Sequence, residues 1–380
     1  MKFVLAPDSF KESMTAKEAS EAMEYGLKKV FPKAEYRKVP MADGGEGTTQ
    51  SLVDATEGQI LKERVTDPLG NPVEADLGIL GDGKTAVIEM ASASGLALVP
   101  REKRNPLYTT TYGTGELIKK ALDHDVDTII IGIGGSATND GGAGMVQALG
   151  GKLLNDKGNK ISYGGKALEE LEKIDLSNLD PRLKTVHIVV ACDVDNPLTG
   201  PKGASYVFGK QKGADPEMIK YLDNNLKKYA QRIREDLQKD VEQVPGAGAA
   251  GGLGAGLLAF FSAELKRGIE IVIEYTALKE KMKGADFVIT GEGSIDAQTR
   301  FGKTPYGVAK VAKEYGIPVI AIAGNMGNDV EILYDYGFDA FFPILHRVQT
   351  LEEALAHGKE NVARTCENIG RMIQLLKKEK

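Results

Sequence analysis

Hydrophobic positions along the chain fall into two patterns: short continuous runs, and stripes at helical spacing. Phe3–Ala6 is an apolar run of strand length. Thr15 with Glu18 forms a capping box. Ala19, Met23, Leu27 and Val30 then recur on one helical face, and Pro32 stops it. Tyr36–Pro40 reads as extended and precedes a short helix to about Ala55. Beyond Val65 the character changes: the turn cluster Asp67–Pro72 leads into extended segments at Ala75–Leu80 and Lys84–Met90. Thr114 opens a helix to about Leu122. Ile129, Ile130, Ile131 and Ile133 then form a β-branched run, the pattern of a strand covered on both faces of a parallel sheet. Val186–Ala191 repeats that pattern, Asp215–Val241 reads as a long charged helix, and Leu257–Lys266 as another helix. Asp286–Thr290, Pro318–Ala323 and Phe338–Leu345 read as strands. Between the first two, Thr304 and Pro305 give an N-cap with proline at N1 of a helix that ends at Gly316. Thr350 with Glu353 caps a terminal helix whose inward face is Leu355, Val362, Cys366, Ile369, Ile373 and Leu376. Such alternation implies parallel strands joined by right-handed crossovers, an α/β architecture.

Several strands run straight into carboxylates: Asp8, Asp43, Asp193, and Glu292 with Asp296. Ligands of open α/β sheets sit outside the carboxyl ends of the strands. Carboxylates gathered there without histidine suit Mg²⁺ binding and activation of a hydroxyl. The strand at Ile129–Ile133 turns into Gly134, Gly135, Ser136, Ala137, Thr138, Asn139, Asp140, Gly141, Gly142 and Gly144. Glycines permit positive φ and expose N–H groups, so this turn can cradle an anion. Ser136, Thr138 and Asn139 add neutral donors, and Asp140 a metal or proton ligand. Lys11 and Lys303 lie on comparable loops and can neutralise phosphate or carboxylate charge. Together these features point to a phosphoryl-transfer site.

Other readings of the same loops compete. Gly132–Ala137 fits G-x-G-x-x-A after a strand, a dinucleotide fingerprint that favours an NAD-dependent hydroxy-acid dehydrogenase. It is followed by Asn and Gly rather than by an apolar helix, and no histidine is placed for hydride-transfer chemistry. Gly246–Gly251 fits G-x-G-x-x-G, with close backbone packing as plausible a reason as phosphate contact for Gly248, Gly251 and Gly252. Arg300–Thr304 ends like a P-loop, but Ala297 occupies the first glycine position, so only a lysine at a helix N-terminus remains.

Composition narrows the class. At 380 residues, two domains are the default. The 45 glycines exceed the usual share of about 7% and cluster at strand ends. A net charge of −6 argues against broad nucleic-acid binding. No apolar span is long enough for a membrane helix, and with the strand entered by Phe3 no leader is expected. Cys192 and Cys366 lie far apart, as reduced thiols of a cytoplasmic protein would.

Six segments carry a resemblance in this order: PDSFK at 7–11, ADGGEGT at 42–48, GIGGSATNDGGAGM at 132–145, ACDVDNPLTG at 191–200, GAGAAGGLG at 246–254 and TGEGSIDAQT at 290–299. Together they resemble the bacterial glycerate kinase family over nearly the whole chain. The resemblance implies ATP-dependent phosphorylation of D-glycerate with Mg²⁺, the 2-phospho product being favoured over the 3-phospho product. It also implies two α/β domains with largely parallel sheets, the second inserted into the first and the cleft between them. Residues 1–65 with 281–380 would form the Rossmann-like domain, and 66–280 the inserted one with the glycine-rich loops. The expected roles are Asp193 as base with Asp8 second, and Lys11 as the charge-offsetting cation. Gly134, Gly135, Ser136, Thr138, Asn139, Asp140, Gly248, Gly251, Gly252, Ser294 and Lys303 would bind substrate or phosphate, and Asp43, Glu292 and Asp296 the metal. A monomer or homodimer is expected.

Overall fold

Phe3, Val4 and Leu5 are wholly buried, as a strand flanked on both sides and covered on both faces must be. The computed structural model that places them describes residues 1–378. Its chain divides into two units: residues 1–43, 50–57 and 269–380 make the first, and residues 44–49 and 58–268 the second.

In chain order the strands are β1 (Lys2–Leu5), β2 (Glu35–Lys38), β3 (Gln59–Thr66), β4 (Pro72–Ile79), β5 (Thr85–Glu89), β6 (Thr128–Gly132), β7 (Lys152–Leu154), β8 (Lys173–Asp175), β9 (His187–Ala191), β10 (Ala263–Lys266), β11 (Phe287–Ile295), β12 (Val319–Met326) and β13 (Ala340–Pro343).

The first unit holds a five-stranded sheet of order β13-β12-β11-β1-β2. Every pairing in it is parallel. The helices Ala16–Lys28 and Gly358–Lys378 pack against one another through Ala19, Met23, Leu27, Val362, Cys366 and Ile369. Gly26 permits that contact, because a Cβ there would run into the carbonyl of Ala363. The terminal segment is two helices, Leu351–Ala356 and Gly358–Lys378, rather than one continuous helix. Val362, Cys366, Ile369 and Ile373 face inward as expected, but Leu376 is exposed.

The second unit holds a six-stranded sheet of order β10-β9-β6-β5-β4-β3. Strands β5, β6, β9 and β10 run parallel, and β3 and β4 add an antiparallel edge. The segment Leu257–Lys266, expected as a helix, is split. The helical segment Ala249–Phe260 is broken within the glycine run, where Ala250, Gly251 and Gly252 take left-handed backbone angles, and Ala263–Lys266 instead pairs with Ile188–Ala191 as a sheet edge.

Candidate active site

The second unit builds its site from strand β6. Ile129, Ile130 and Ile131 are wholly buried, which fixes where the chain leaves the sheet. Beyond it Gly134 and Gly135 are exposed, Gly135 takes φ +73°, and Ser136 turns inward at 6% exposure. Gly134, Gly135, Ser136, Asp193 and Lys212 line a hollow of about 230 Å³. Asp193 follows β9, and its Oδ1 accepts a hydrogen bond from the Gly268 N–H at 3.1 Å. The same two glycines border a second hollow of about 430 Å³, lined also by Glu46, Glu89 and Ser92. Glu89 accepts from the Thr49 N–H at 2.9 Å and the Gly47 N–H at 3.4 Å. Burial raises its pKa, those donors oppose the rise, and the Glu46 charge adds to it.

The rest of the glycine-rich sequence supports this turn from behind. Thr138, Asn139 and Asp140 are completely buried. Asn139 donates from Nδ2 to Ser205 Oγ at 2.9 Å. Asp140 accepts from the Thr111 N–H and hydroxyl, each at 2.9 Å, and from the Gly142 and Gly144 N–H groups, each at 3.2 Å. That set ties the loop to the start of the helix Tyr112–Asp123. Gly248, Gly251 and Gly252 are buried and do not line the hollow; their neighbours Ala249 and Ala250 do. A Cβ on Gly248 would meet the Pro197 carbonyl, one on Gly251 the Thr138 carbonyl, and one on Gly252 the Leu198 side chain at 2.7 Å. Gly248 and Gly251 thus let this segment pack against the backbone at Pro197 and at Thr138, and Gly252 makes room for the Leu198 side chain.

The first unit gathers the remaining acids. Asp8 leaves β1 with its N–H donating to the Gly291 carbonyl at 2.8 Å, beside β11. Its carboxylate accepts from the Ser9 N–H at 2.6 Å and from the Thr304 hydroxyl. Thr304 was expected to cap its helix. Lys303 takes the N-cap position instead, which leaves the Thr304 hydroxyl to bind Asp8. Burial pushes the Asp8 pKa up to about 6, the Thr304 bond opposes the rise, and the Asp43 charge adds to it. Glu292, on β11, is pushed up to about 7, chiefly by burial; Lys303 opposes this, and Asp8, Asp43 and Asp296 reinforce it. Lys303 Nζ lies 3.7 Å from Glu292 Oε1 and donates to the Ser294 carbonyl at 3.5 Å. The Ser294 hydroxyl accepts from Asn325 Nδ2 at 3.1 Å. Asp296 caps the turn Ala297–Phe301 through the Gln298 N–H at 2.8 Å. Lys11 stands exposed on the loop after β1.

These acids bear on metal binding. Among the described residues no group of three or more His, Cys, Asp or Glu side chains is assembled as a metal cage. Glu292 Oε1 is nonetheless buried with no hydrogen-bond partner. Three other carboxylates raise the pKa of its group. A buried acid oxygen without a hydrogen bond, set among three other carboxylates and offset by the Lys303 ammonium at 3.7 Å, fits a cation held by one or two carboxylates, with water and phosphate completing the shell, as is usual for Mg²⁺.

Comparison with known proteins assigns the fold to a lineage. A model of the family described as "Glycerate kinase family" matches residues 3–374. The chain belongs to the glycerate kinase family. A "Glycerate kinase" of Bacillus subtilis is 58% identical over 377 residues, covering 99% of each chain. A "Glycerate 2-kinase" of Escherichia coli is 56% identical over 375 residues, 99% of this chain and 98% of the relative. A glycerate kinase 2 crystal structure from Salmonella typhimurium superposes with a TM-score of 0.93 at 53% identity, covering both chains fully. Membership makes the chain a phosphotransferase with an alcohol group as acceptor. The dehydrogenase reading finds no support. In a dinucleotide fingerprint the helix opens within the glycine turn, whereas here the next helix begins only at Ala143.

Sequence reasoning missed Glu89 and Lys212. Glu89 ends an apolar strand, the same signal that picked out Asp8 and Asp193. Lys212 lies in Gly-Lys-Gln-Lys-Gly, which reads as a solvated turn, and only the fold reveals its burial. Both cysteines are free thiols, and among the described residues no helix is long and apolar enough to cross a membrane.

Proposed function

We propose that the chain transfers the γ-phosphoryl group of ATP to a hydroxyl of D-glycerate, with 2-phospho-D-glycerate as the favoured product, acting in the cytoplasm as a monomer or homodimer. The observation that carries this reading is the Gly134–Gly135–Ser136 turn, which shares one hollow with an acid, Asp193, and a lysine, Lys212, in a glycerate kinase family member. The name of the Escherichia coli relative supports the 2-position. Phosphoryl transfer asks a protein chiefly to position groups and to stabilise charge. The exposed turn supplies N–H donors and the Ser136 hydroxyl to an anionic oxygen. Asp193 takes the proton of the attacking hydroxyl, with the Gly268 N–H orienting its carboxylate. Asp8 is the second candidate for that proton, since it is held by Thr304 and burial brings its pKa up to about 6, closer to neutrality than an ordinary carboxylate. Lys11 and Lys303 offset anionic charge. Glu292 with Asp43 and Asp296 would hold Mg²⁺, which when bound neutralises charge on the phosphates. Incubation with ATP, Mg²⁺ and D-glycerate followed by phosphorus NMR tests the reading. Formation of 2-phosphoglycerate supports it, a 3-phospho product overturns the regiochemistry, and no phosphoglycerate overturns the function.

A further inference from the structure

Lys212 ends the short turn Lys210–Lys212 and is 1% exposed. Its ammonium donates to Ser136 Oγ at 2.7 Å and to the Thr138 carbonyl at 2.6 Å. Among the described residues it forms no ion pair. Asp140 is the one acid whose charge bears on it, and that carboxylate is already satisfied by four donors on Thr111, Gly142 and Gly144. A buried ammonium bound only to neutral oxygens is costly to keep. The cost is recovered if a negative charge enters the hollow that Lys212 and Ser136 line together. The Ser136 oxygen accepts a hydrogen bond from the lysine ammonium, so its own hydrogen is left to donate to a ligand.

We propose that Lys212 is a positioning residue that acts through the Ser136 hydroxyl to give this hollow its affinity for an oxyanion, a phosphate or a carboxylate. The proposal rests on the kinase reading above and names Ser136 as the donor to the substrate anion and Lys212 as the residue that positions it. It also makes binding sensitive to pH. Burial pushes the Lys212 pKa down to about 7, with Asp140 opposing the shift. As pH rises through that value the ammonium is lost and anion affinity falls. Cys192 and Asp193 also line the hollow; burial raises the Cys192 thiol, which keeps its titration above this window.

Calorimetry on the full chain tests the idea, with tripolyphosphate and D-glycerate as separate probes at several pH values between about 6 and 8.5. The two probes distinguish a phosphate from a carboxylate as the anion served. Lys212→Met should weaken binding of one probe by about 10–100-fold, as loss of a hydrogen bond to a charged group does, and should flatten the pH dependence. KM for the corresponding substrate should rise by a similar factor, with kcat much less affected. Ser136→Ala keeps the lysine in place and should weaken the same probe. If Lys212→Met melts like the parent chain yet binds both probes with unchanged affinity and pH slope, the lysine only packs the loop and the proposal fails. If Lys212→Met does not fold, Ser136→Ala decides, and unchanged affinity for both probes overturns the proposal. Failure of the parent chain to bind either probe overturns it too, whereas the kinase reading is decided separately by turnover.

Discussion

Replacing Gly251 by alanine probes the packing behind the anion turn at a single atom. Gly251 sits at φ +68°, where an L side chain costs about 1–2 kcal/mol. Its Cβ would also run into the Thr138 carbonyl oxygen and come within 2.7 Å of Asn139 Cα. That obstacle is backbone, so no rotamer change relieves it, and overpacking of this kind costs about 1–3 kcal/mol. The expected loss is therefore about 2–5 kcal/mol. Gly158 supplies the control in the same unit: it has φ +75° and a Cβ there would meet nothing within 4 Å, so Gly158→Ala pays only the conformational part. The chain has no tryptophan, so urea unfolding is best followed by far-UV circular dichroism and tyrosine fluorescence. Gly251→Ala should lose about 1–3 kcal/mol more than Gly158→Ala. Because the Thr138 carbonyl also accepts from Lys212, Gly251→Ala should weaken anion binding as well. Equal losses for the two variants would show that the two loops do not meet at this point, and the reasoning would be refuted.

Three further outcomes follow from the site. Asp193→Asn should remain folded and lose about 10²–10⁴-fold in kcat, the usual effect of removing a positioned base; near-normal turnover would remove Asp193 from that role. Lys11→Ala should lower kcat/KM sharply, and an unchanged value in steady-state assays would exclude this exposed lysine from the chemistry. Glu292, raised to about 7 mainly by burial, costs the fold nothing below its unfolded value near 4.5 and progressively more as pH climbs to about 7. In magnesium-free buffer Glu292→Gln should therefore stabilise the chain by up to about 3 kcal/mol at pH near 8, and the gain should vanish near pH 4. An equal gain in melts at both pH values would refute charge burial as its cause.

Where local chemistry decides structure, the sequence was readable. The capping boxes at Thr15 with Glu18 and Thr350 with Glu353 form as expected. The isoleucine run of β6 is a buried strand between β5 and β9. What escaped depended on partners far along the chain. Strand β3 carries Lys62, Glu63 and Arg64, which suit a charged sheet edge and mask a strand pattern. Ala263–Lys266 reads as the end of a helix until β9 lies beside it. The glycines at 248, 251 and 252 look the same whether they meet a phosphate or a neighbouring backbone, and only the position of Thr138, Pro197 and Leu198 tells the two apart. Lys212 carries no local sign of burial, because its partners Ser136 and Thr138 lie more than seventy residues away.

The order of strands in the first sheet has a consequence for biosynthesis. Strand β1 leaves the ribosome long before its inner neighbour β11, which begins at Phe287. Until then β1 has only β2 beside it. The second unit is nearly continuous over residues 58–268 and can collapse on the nascent chain during that interval. At ordinary translation speeds the wait lasts on the order of ten seconds or more, during which Phe3, Val4 and Leu5 keep one strand edge unpaired.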